Sequence, residues 1–247
     1  FLFKKSYQLK TLKPIKYDEL WGKKGIFTTI RVLGKKPKFI LFKKHINNMN
    51  SALNKMKIDF VLSDKIILQL LKPVLINQRN ADNLLRIAIN SKVISLSLRT
   101  RPKPYKKFNI IFISFKRSIP NLKNLYYKKI IKLLNLINIQ KEEIILFNRG
   151  ILLEGCTTNI LCIHNKKIYI PLRNYYRGTT MDYLLFNTKR EIKRINISIK
   201  NLHKYEEILL VGSGKGVISL QSIPKINWKP KSDLVYKEFE AAYKKIL

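Results

Sequence analysis

Cysteine is nearly absent: Cys156 and Cys162 are the only two in 247 residues. They match neither zinc spacings nor the redox C-x-x-C spacing, and two cannot build a disulfide framework, so a reducing compartment is expected. Histidine is equally sparse. His45, His164 and His203 lie far apart with no H-x-x-x-H pattern, and no metal site is expected. No apolar stretch has the length of a membrane span, the strongest being about Ile110 to Phe115. The N-terminal residues lack the long apolar segment of a secretory signal, which makes a cytoplasmic protein without a membrane partner the expectation. Acidic residues are the scarcest charged class, 15 against 50 Lys plus Arg, for a formal charge of +35. So large an excess raises nucleic acid as a partner. The basic residues are scattered pairs such as Lys4-Lys5, Lys43-Lys44 and Lys106-Lys107 rather than one dense arm. With Lys, Asn and Ile abundant together, drift toward A- and T-rich codons accounts for the excess without selection for binding, and a nucleic-acid partner is admissible but not favoured.

What is present is a core. Hydrophobic residues make up 46% of the chain, which excludes a disordered protein, and the length suits one large domain or two modest ones. Ile26–Leu33 alternates and is β-branched; Gly34 and Pro37 follow, and Phe39–Phe42 returns as the second strand of a hairpin. Ile46, Met49, Leu53 and Met56 recur at helical spacing. A second helix starts at Ser63 with Ile67, Leu70, Leu71 and Val74 inward and Pro73 bending or ending it. Strands are expected over Leu84–Ile89 and Val93–Leu98, and the proline-bearing, charged stretch after them is the candidate linker.

Beyond it, Phe108–Phe115 reads as a strand, and Leu122, Tyr126, Ile130, Leu133, Leu134 and Ile137 form one face of a helix. Short strands follow over Ile144–Phe147, Asn159–Ile163 and Ile168–Ile170. A helix opens at Arg177-Gly178-Thr179-Thr180 and carries Met181, Leu184, Leu185 and Ile192; a last helix starts at Ser232. The division expected is an N-terminal α+β lobe over 1–101, a linker over 102–107 and a C-terminal α/β lobe over 108–247, with a ligand cleft between the lobes.

Three stretches carry chemistry. ILLVGSGKGVISL, residues 208–220, sets three glycines and a lysine between two apolar runs. It is not a nucleotide P-loop, because Leu209 and Gly216 occupy the places of the first glycine and of the magnesium-binding hydroxyl. A dinucleotide fingerprint would open a helix, whereas Val217–Leu220 reads as strand. What remains is a turn in which Gly212, Ser213 and Gly214 offer N–H groups and a hydroxyl to an anion. An ordinary glycine hairpin fits this stretch equally well. The start of the Gly178-Thr179-Thr180 helix is a second place for an anion. Glu154, in an apolar strand pattern, is costly unless it meets a cation or a proton donor.

In order, GIFTTIRV, FKKHINNMNSAL, LLEGCTTNILCIHNKKIYIP, RGTTMDYLL and VGSGKGVISL resemble the fold-type IV pyridoxal-phosphate enzymes over about residues 2–223. That family includes 4-amino-4-deoxychorismate lyases and the branched-chain and D-amino-acid aminotransferases. The resemblance implies a two-lobed α+β and α/β architecture with pyridoxal 5′-phosphate in the cleft. It implies Lys123 as the lysine that bonds the cofactor and then serves as general acid and base. Glu154 would pair with the ring nitrogen and Asn159 would brace the ring environment. Thr179, Thr180, Gly212 and Ser213 would hold the phosphate, while Phe27 and Thr29 would face the substrate. It further implies a small-molecule substrate bearing carboxylates, and a homodimer.

Three positions depart from the family pattern. Asn48 stands where an arginine usually holds the phosphate, a loss of about 1.5–3 kcal/mol unless Lys43 or Lys44 compensates. Ile89–Val93 passes on without the arginine-glycine loop of many lyases, leaving Lys92 or Arg99 to attract substrate carboxylates; Tyr126 replaces the usual asparagine. The FTTIRV start and the S-x-x-G-V pattern of Ser213–Val217 resemble the lyases more than the aminotransferases. The expected activity is therefore elimination of pyruvate from 4-amino-4-deoxychorismate to give 4-aminobenzoate for folate synthesis, with an aminotransferase as the alternative. A third reading is a cofactor-free basic binding or scaffold protein, which the retained Lys123 and Glu154 disfavour.

Overall fold

The alternating run Ile26–Leu33 is the third strand of a six-stranded sheet, and its inward residues Ile26 and Ile30 are almost wholly buried. The computed structural model describes residues 1–75, 82–105 and 108–247. Their contacts divide into two compact units, residues 1–101 with 122–128, and residues 102–121 with 129–247. Of the expected linker 102–107, Lys106 and Lys107 lie outside the described residues.

The first unit contains β1 (Phe3–Gln8), β2 (Pro14–Ile15), β3 (Ile26–Leu33), β4 (Lys38–Phe39), α1 (Phe42–Lys55), α2 (Asp64–Leu75), β5 (Asp82–Ile89) and β6 (Val93–Thr100). Its sheet runs β2-β1-β6-β5-β3-β4 with every pairing antiparallel. The apolar faces of α1 and α2 cover one side: Ile46, Met49, Leu53, Ile67 and Leu71 join Ile30, Leu85, Ile87 and Leu96 in one core. The hairpin's return strand is shorter than the sequence suggests. Lys38–Phe39 pairs with β3 and the Ile40 N–H still reaches the Arg31 carbonyl, but Leu41 takes a left-handed conformation, φ 53°, that turns the chain into α1 at Phe42. Pro73 stands within the last turn of α2, where it withholds one backbone N–H from the helix shortly before its end.

The second unit contains β7 (Asn109–Ser114), α3 (Lys128–Leu134, all but its first residue), β8 (Glu142–Asn148), β9 (Ile151–Gly155), β10 (Asn159–His164), β11 (Lys167–Pro171), α4 (Thr179–Phe186), β12 (Ile192–Ile195), β13 (Glu207–Gly212), β14 (Gly216–Ser219) and α5 (Leu234–Lys244). Strands β7-β8-β9 form one sheet and β12-β11-β10-β13-β14 another, with β7/β8 and β11/β12 parallel. The glycine-rich stretch is the β13–β14 hairpin, closed by Gly212 opposite Gly216. Gly216 takes φ +76°, a conformation natural to glycine.

Two helices differ from expectation. The helix face spanning 122–137 contracts to Lys128–Leu134, because residues 123–125 spend their backbone groups on the edge of β3 instead. Ile192 leaves α4 for β12, which pairs in parallel with β11. The acids, scarce in the sequence, are partly spent inside. Among the described residues Glu143, Glu154 and Glu207 are the buried carboxylates. Glu207 accepts the N–H groups of Val235 (3.0 Å) and Tyr236 (2.8 Å) and the Ser232 hydroxyl, compensating the positive end of α5.

Candidate active site

Each unit carries a separate constellation of the expected residues. In the first unit, Lys123 is fastened by its main chain: its carbonyl accepts the Phe27 N–H at 2.8 Å, Asn124 bridges Ile26, and the Leu125 N–H reaches the Gly25 carbonyl at 2.9 Å. Gly25 is required there, since a Cβ would strike the Ile89 carbonyl and the Leu125 side chain. The Lys123 Nζ stands 5.0 Å from the Phe27 ring centroid. Phe27 and Thr29, two residues apart on β3, share one face of the sheet.

The same face carries a residue the sequence did not single out. Thr29 pairs with Arg86 and Phe27 with Ala88, and directly opposed residues in an antiparallel pair project to one side. The Arg86 guanidinium lies 3.6 Å from the Trp21 ring centroid and 5.6 Å from that of Phe27, and it donates to the Glu19 carbonyl at 2.5 Å. Its Nε is buried without a hydrogen-bond partner in the structure. Burial lowers its pKa to about 10. Trp21, Phe27 and Tyr127 complete the group, with centroid separations of 4.9, 5.7 and 5.1 Å. The signal was an arginine inside the apolar strand LLRIAI. Lys92 and Arg99 are exposed beyond one end of β6 and near its other end, roughly 23 Å apart at about 3.3 Å per strand residue, too far to share one small substrate.

Beneath β3, Thr28 points the other way and its hydroxyl meets His45 Nδ1 at 2.7 Å. Burial first, and the Lys123 charge second, lower the His45 pKa from 6.5 to about 3. The folded protein therefore holds His45 neutral, while the unfolded chain protonates it below about pH 6.5. This contribution to stability is complete above that pH and is lost as pH falls toward 3, by about 3–5 kcal/mol. Denaturant titrations at pH 7 and pH 4 should show this loss in the wild type and a smaller one in His45→Gln.

In the second unit, Glu154 is 4% exposed on β9. Its Oε1 accepts Arg117 Nε at 2.7 Å and its Oε2 accepts the Tyr176 N–H at 3.0 Å. Arg117, also buried, turns its Nη2 to the Pro120 carbonyl at 2.9 Å, three residues before Lys123. The chain between them holds Ile119 at φ 47°, a strained conformation for a β-branched residue. Arg117 was not anticipated from the sequence; the lone arginine before Ser-Ile-Pro was its trace.

Asn159, first residue of β10, receives the Gly178 N–H at 3.0 Å and donates to the Tyr176 carbonyl at 2.5 Å. It thus fixes the chain entering α4 rather than standing alone. A Cβ at Gly178 would press on the Asn159 side chain at 2.6 Å. Gly178 is the N-cap of α4 and makes no side-chain cap, while Thr179 and Thr180 are buried in the first turn. The Thr180 and Ser213 hydroxyls meet at 3.3 Å. Gly212 packs so closely that a Cβ would lie 2.9 Å from the Thr157 carbonyl. Glu154, Asn159, Thr179, Thr180, Gly212 and Ser213 are therefore neighbours through these contacts.

The chain matches the family described as amino-transferase class IV over residues 25–223. It belongs to that family. A search of curated proteins returned no match. Among solved structures, a branched-chain aminotransferase of Thermoproteus uzoniensis with norvaline superposes with TM-score 0.79 at 13% identity, covering 98% of this chain and 93% of that one. A "putative 4-amino-4-deoxychorismate lyase" of Legionella pneumophila gives TM-score 0.71 at 18% identity, covering 86% and 88%. A hypothetical aminotransferase of Mycobacterium tuberculosis in its PLP-bound form gives 0.73 at 13%, covering 97% of each chain. These likenesses show the fold, mixed α+β and α/β. The cofactor of this class IV aminotransferase-family chain is pyridoxal 5′-phosphate.

The residues fit that group. Taken by itself, the first unit offers a half-buried lysine beside the Phe27 ring; the second, by itself, offers a buried carboxylate held by an arginine and two hydroxyls that meet at a helix start beside a glycine with no room for a side chain. Among the described residues, no cluster of three or more His, Cys, Asp or Glu could hold a metal, and no helix is long and apolar enough to cross a membrane. Both cysteines are buried, with thiol pKa values pushed up chiefly by burial, which makes them poor nucleophiles.

Proposed function

We propose that the protein is a pyridoxal-phosphate-dependent lyase that eliminates pyruvate from 4-amino-4-deoxychorismate to give 4-aminobenzoate. The observation that carries this reading over an aminotransferase is the Arg86 group, a desolvated guanidinium among Trp21, Phe27 and Tyr127, which suits an unsaturated cyclic acid. The lyase-like Ser213–Val217 pattern supports it.

Bound cofactor would supply an electron sink for the ring carbon that bears the substrate's amine. Lys123 would hold the cofactor through its amine and, with substrate bound, would take the proton from the ring carbon that bears the substrate's amine. Glu154, oriented by Arg117, pairs with the cofactor ring nitrogen as the negative partner. Thr179, Thr180, Gly212 and Ser213 receive the phosphate with N–H and hydroxyl donors. Phe27 and Thr29 line the substrate side, and Arg86 pairs with a substrate carboxylate. The protein works as a homodimer in the cytoplasm.

Purified protein given 4-amino-4-deoxychorismate is expected to release equal amounts of 4-aminobenzoate and pyruvate. Exchange of branched-chain or D-amino acids with 2-oxoglutarate, and no 4-aminobenzoate, would assign it to the aminotransferases. A colourless protein that co-purifies with RNA would assign it instead to the cofactor-free binding proteins.

A further inference from the structure

Beside Ser213, the glycine turn carries one further side chain, Lys215, and it reaches back to β8. Its Nζ lies 3.3 Å from Glu143 Oε2, donates to the Glu142 carbonyl at 3.1 Å, and stands 4.2 Å from the Phe108 ring centroid. Both partners are buried, the lysine side chain 9% exposed and the glutamate 0%. The same carboxylate accepts the Thr157 and Thr158 hydroxyls through Oε2 and the Ile144 N–H through Oε1. Gly155 admits this approach because it lacks a Cβ, which would strike Thr158 Oγ1 and come within 3.1 Å of Glu143 Cγ. Glu143 thereby ties the start of β8 to the 155–158 turn, and Lys215 ties both to the turn holding Gly212 and Ser213.

A buried ion pair is an expensive way to gain stability. Desolvation offsets most of the attraction, and an apolar pair of similar volume often serves as well or better. What such a pair supplies is one defined arrangement of the segments it joins. The segments joined here present the Gly212 main chain against Thr157 and the Ser213 hydroxyl against Thr180. We propose that Lys215 and Glu143 are positioning residues for the cofactor phosphate: the buried pair holds the 212–216 turn in register with the 155–158 turn, so that Ser213 and Thr180 converge on the phosphate. This inference rests on the placement of the phosphate proposed above.

The test is equilibrium dialysis of full-length protein, resolved of cofactor, against pyridoxal 5′-phosphate and against pyridoxal, which lacks the phosphate. Lys215→Met and the charge-free double variant Lys215→Met/Glu143→Gln are compared with wild type and Lys215→Arg, with thermal melting as the control for folding. Wild type should prefer the phosphorylated compound. Outer supports of a ligand's direct contacts are worth on the order of 10–100-fold in affinity at metal sites. A loss of that size is expected here for pyridoxal 5′-phosphate alone, with pyridoxal binding unchanged and Lys215→Arg close to wild type. A folded double variant that keeps the wild-type preference, or loses affinity for both compounds equally, overturns the proposal. If instead wild type shows no preference, and Thr180→Ala and Ser213→Ala change nothing, the placement of the phosphate itself fails.

Discussion

Lys123→Ala is expected to fold like the wild type and to lose at least about 10³-fold in kcat, the scale of a general acid–base group. The fold should survive because Lys123 is held by its carbonyl and by its neighbours Asn124 and Leu125, none of which needs the amine. The amine projects beside Phe27 on the face that Thr29 and Arg86 share. Steady-state kinetics on variant protein with a wild-type melting curve measures the effect. A variant within tenfold of wild type would remove Lys123 from the chemistry.

Arg117→Met should cost about 3–5 kcal/mol of unfolding free energy, because it leaves the Glu154 carboxylate buried without its cation. Adding Glu154→Gln removes the stranded charge, and the double variant should regain most of the stability. Activity should not return with it, since the ring nitrogen would still lack an anionic partner. Urea titrations of the two variants beside kinetics on the double separate the structural from the chemical role of the pair. A single variant that loses less than about 1 kcal/mol, the range of exposed ion pairs, would contradict the buried pairing.

Much of the fold was legible because it is written in local patterns. The β-branched alternation of Ile26–Leu33, the helical spacing of Ile46, Met49 and Leu53, and the glycines bracketing Ser213 each specify their element through neighbours in sequence. The misread segment, 122–137, also has apolar residues at helical spacing. There the backbone bonds of 123–125 to β3 outweighed it, and only α3 remains helical. Leu41 is a similar case, since nothing in its side chain announces a left-handed turn.

Glu154, Asn159, Thr180 and Ser213 could be proposed in advance because each sits in a short motif. The residues that hold them could not. Arg117 meets Glu154, and Lys215 meets Glu143, through contacts spanning long stretches of chain that periodicity does not encode. Arg86 left a trace, an arginine inside the apolar strand LLRIAI, but among 50 basic residues that trace did not stand out until its burial was known. Scarcity was the better guide. Fifteen acids supply, among the described residues, three buried carboxylates, which organise the 155–158 turn, the chain entering α4 and the start of α5.

The central claim is that Lys123 bonds the cofactor. Borohydride reduction of the wild-type protein loaded with pyridoxal 5′-phosphate, followed by peptide mapping, tests it directly, because reduction makes the lysine–cofactor link permanent. The account predicts a phosphopyridoxyl group on the peptide containing Lys123 and on no other. A label on a different lysine, or folded protein carrying no label, would contradict it.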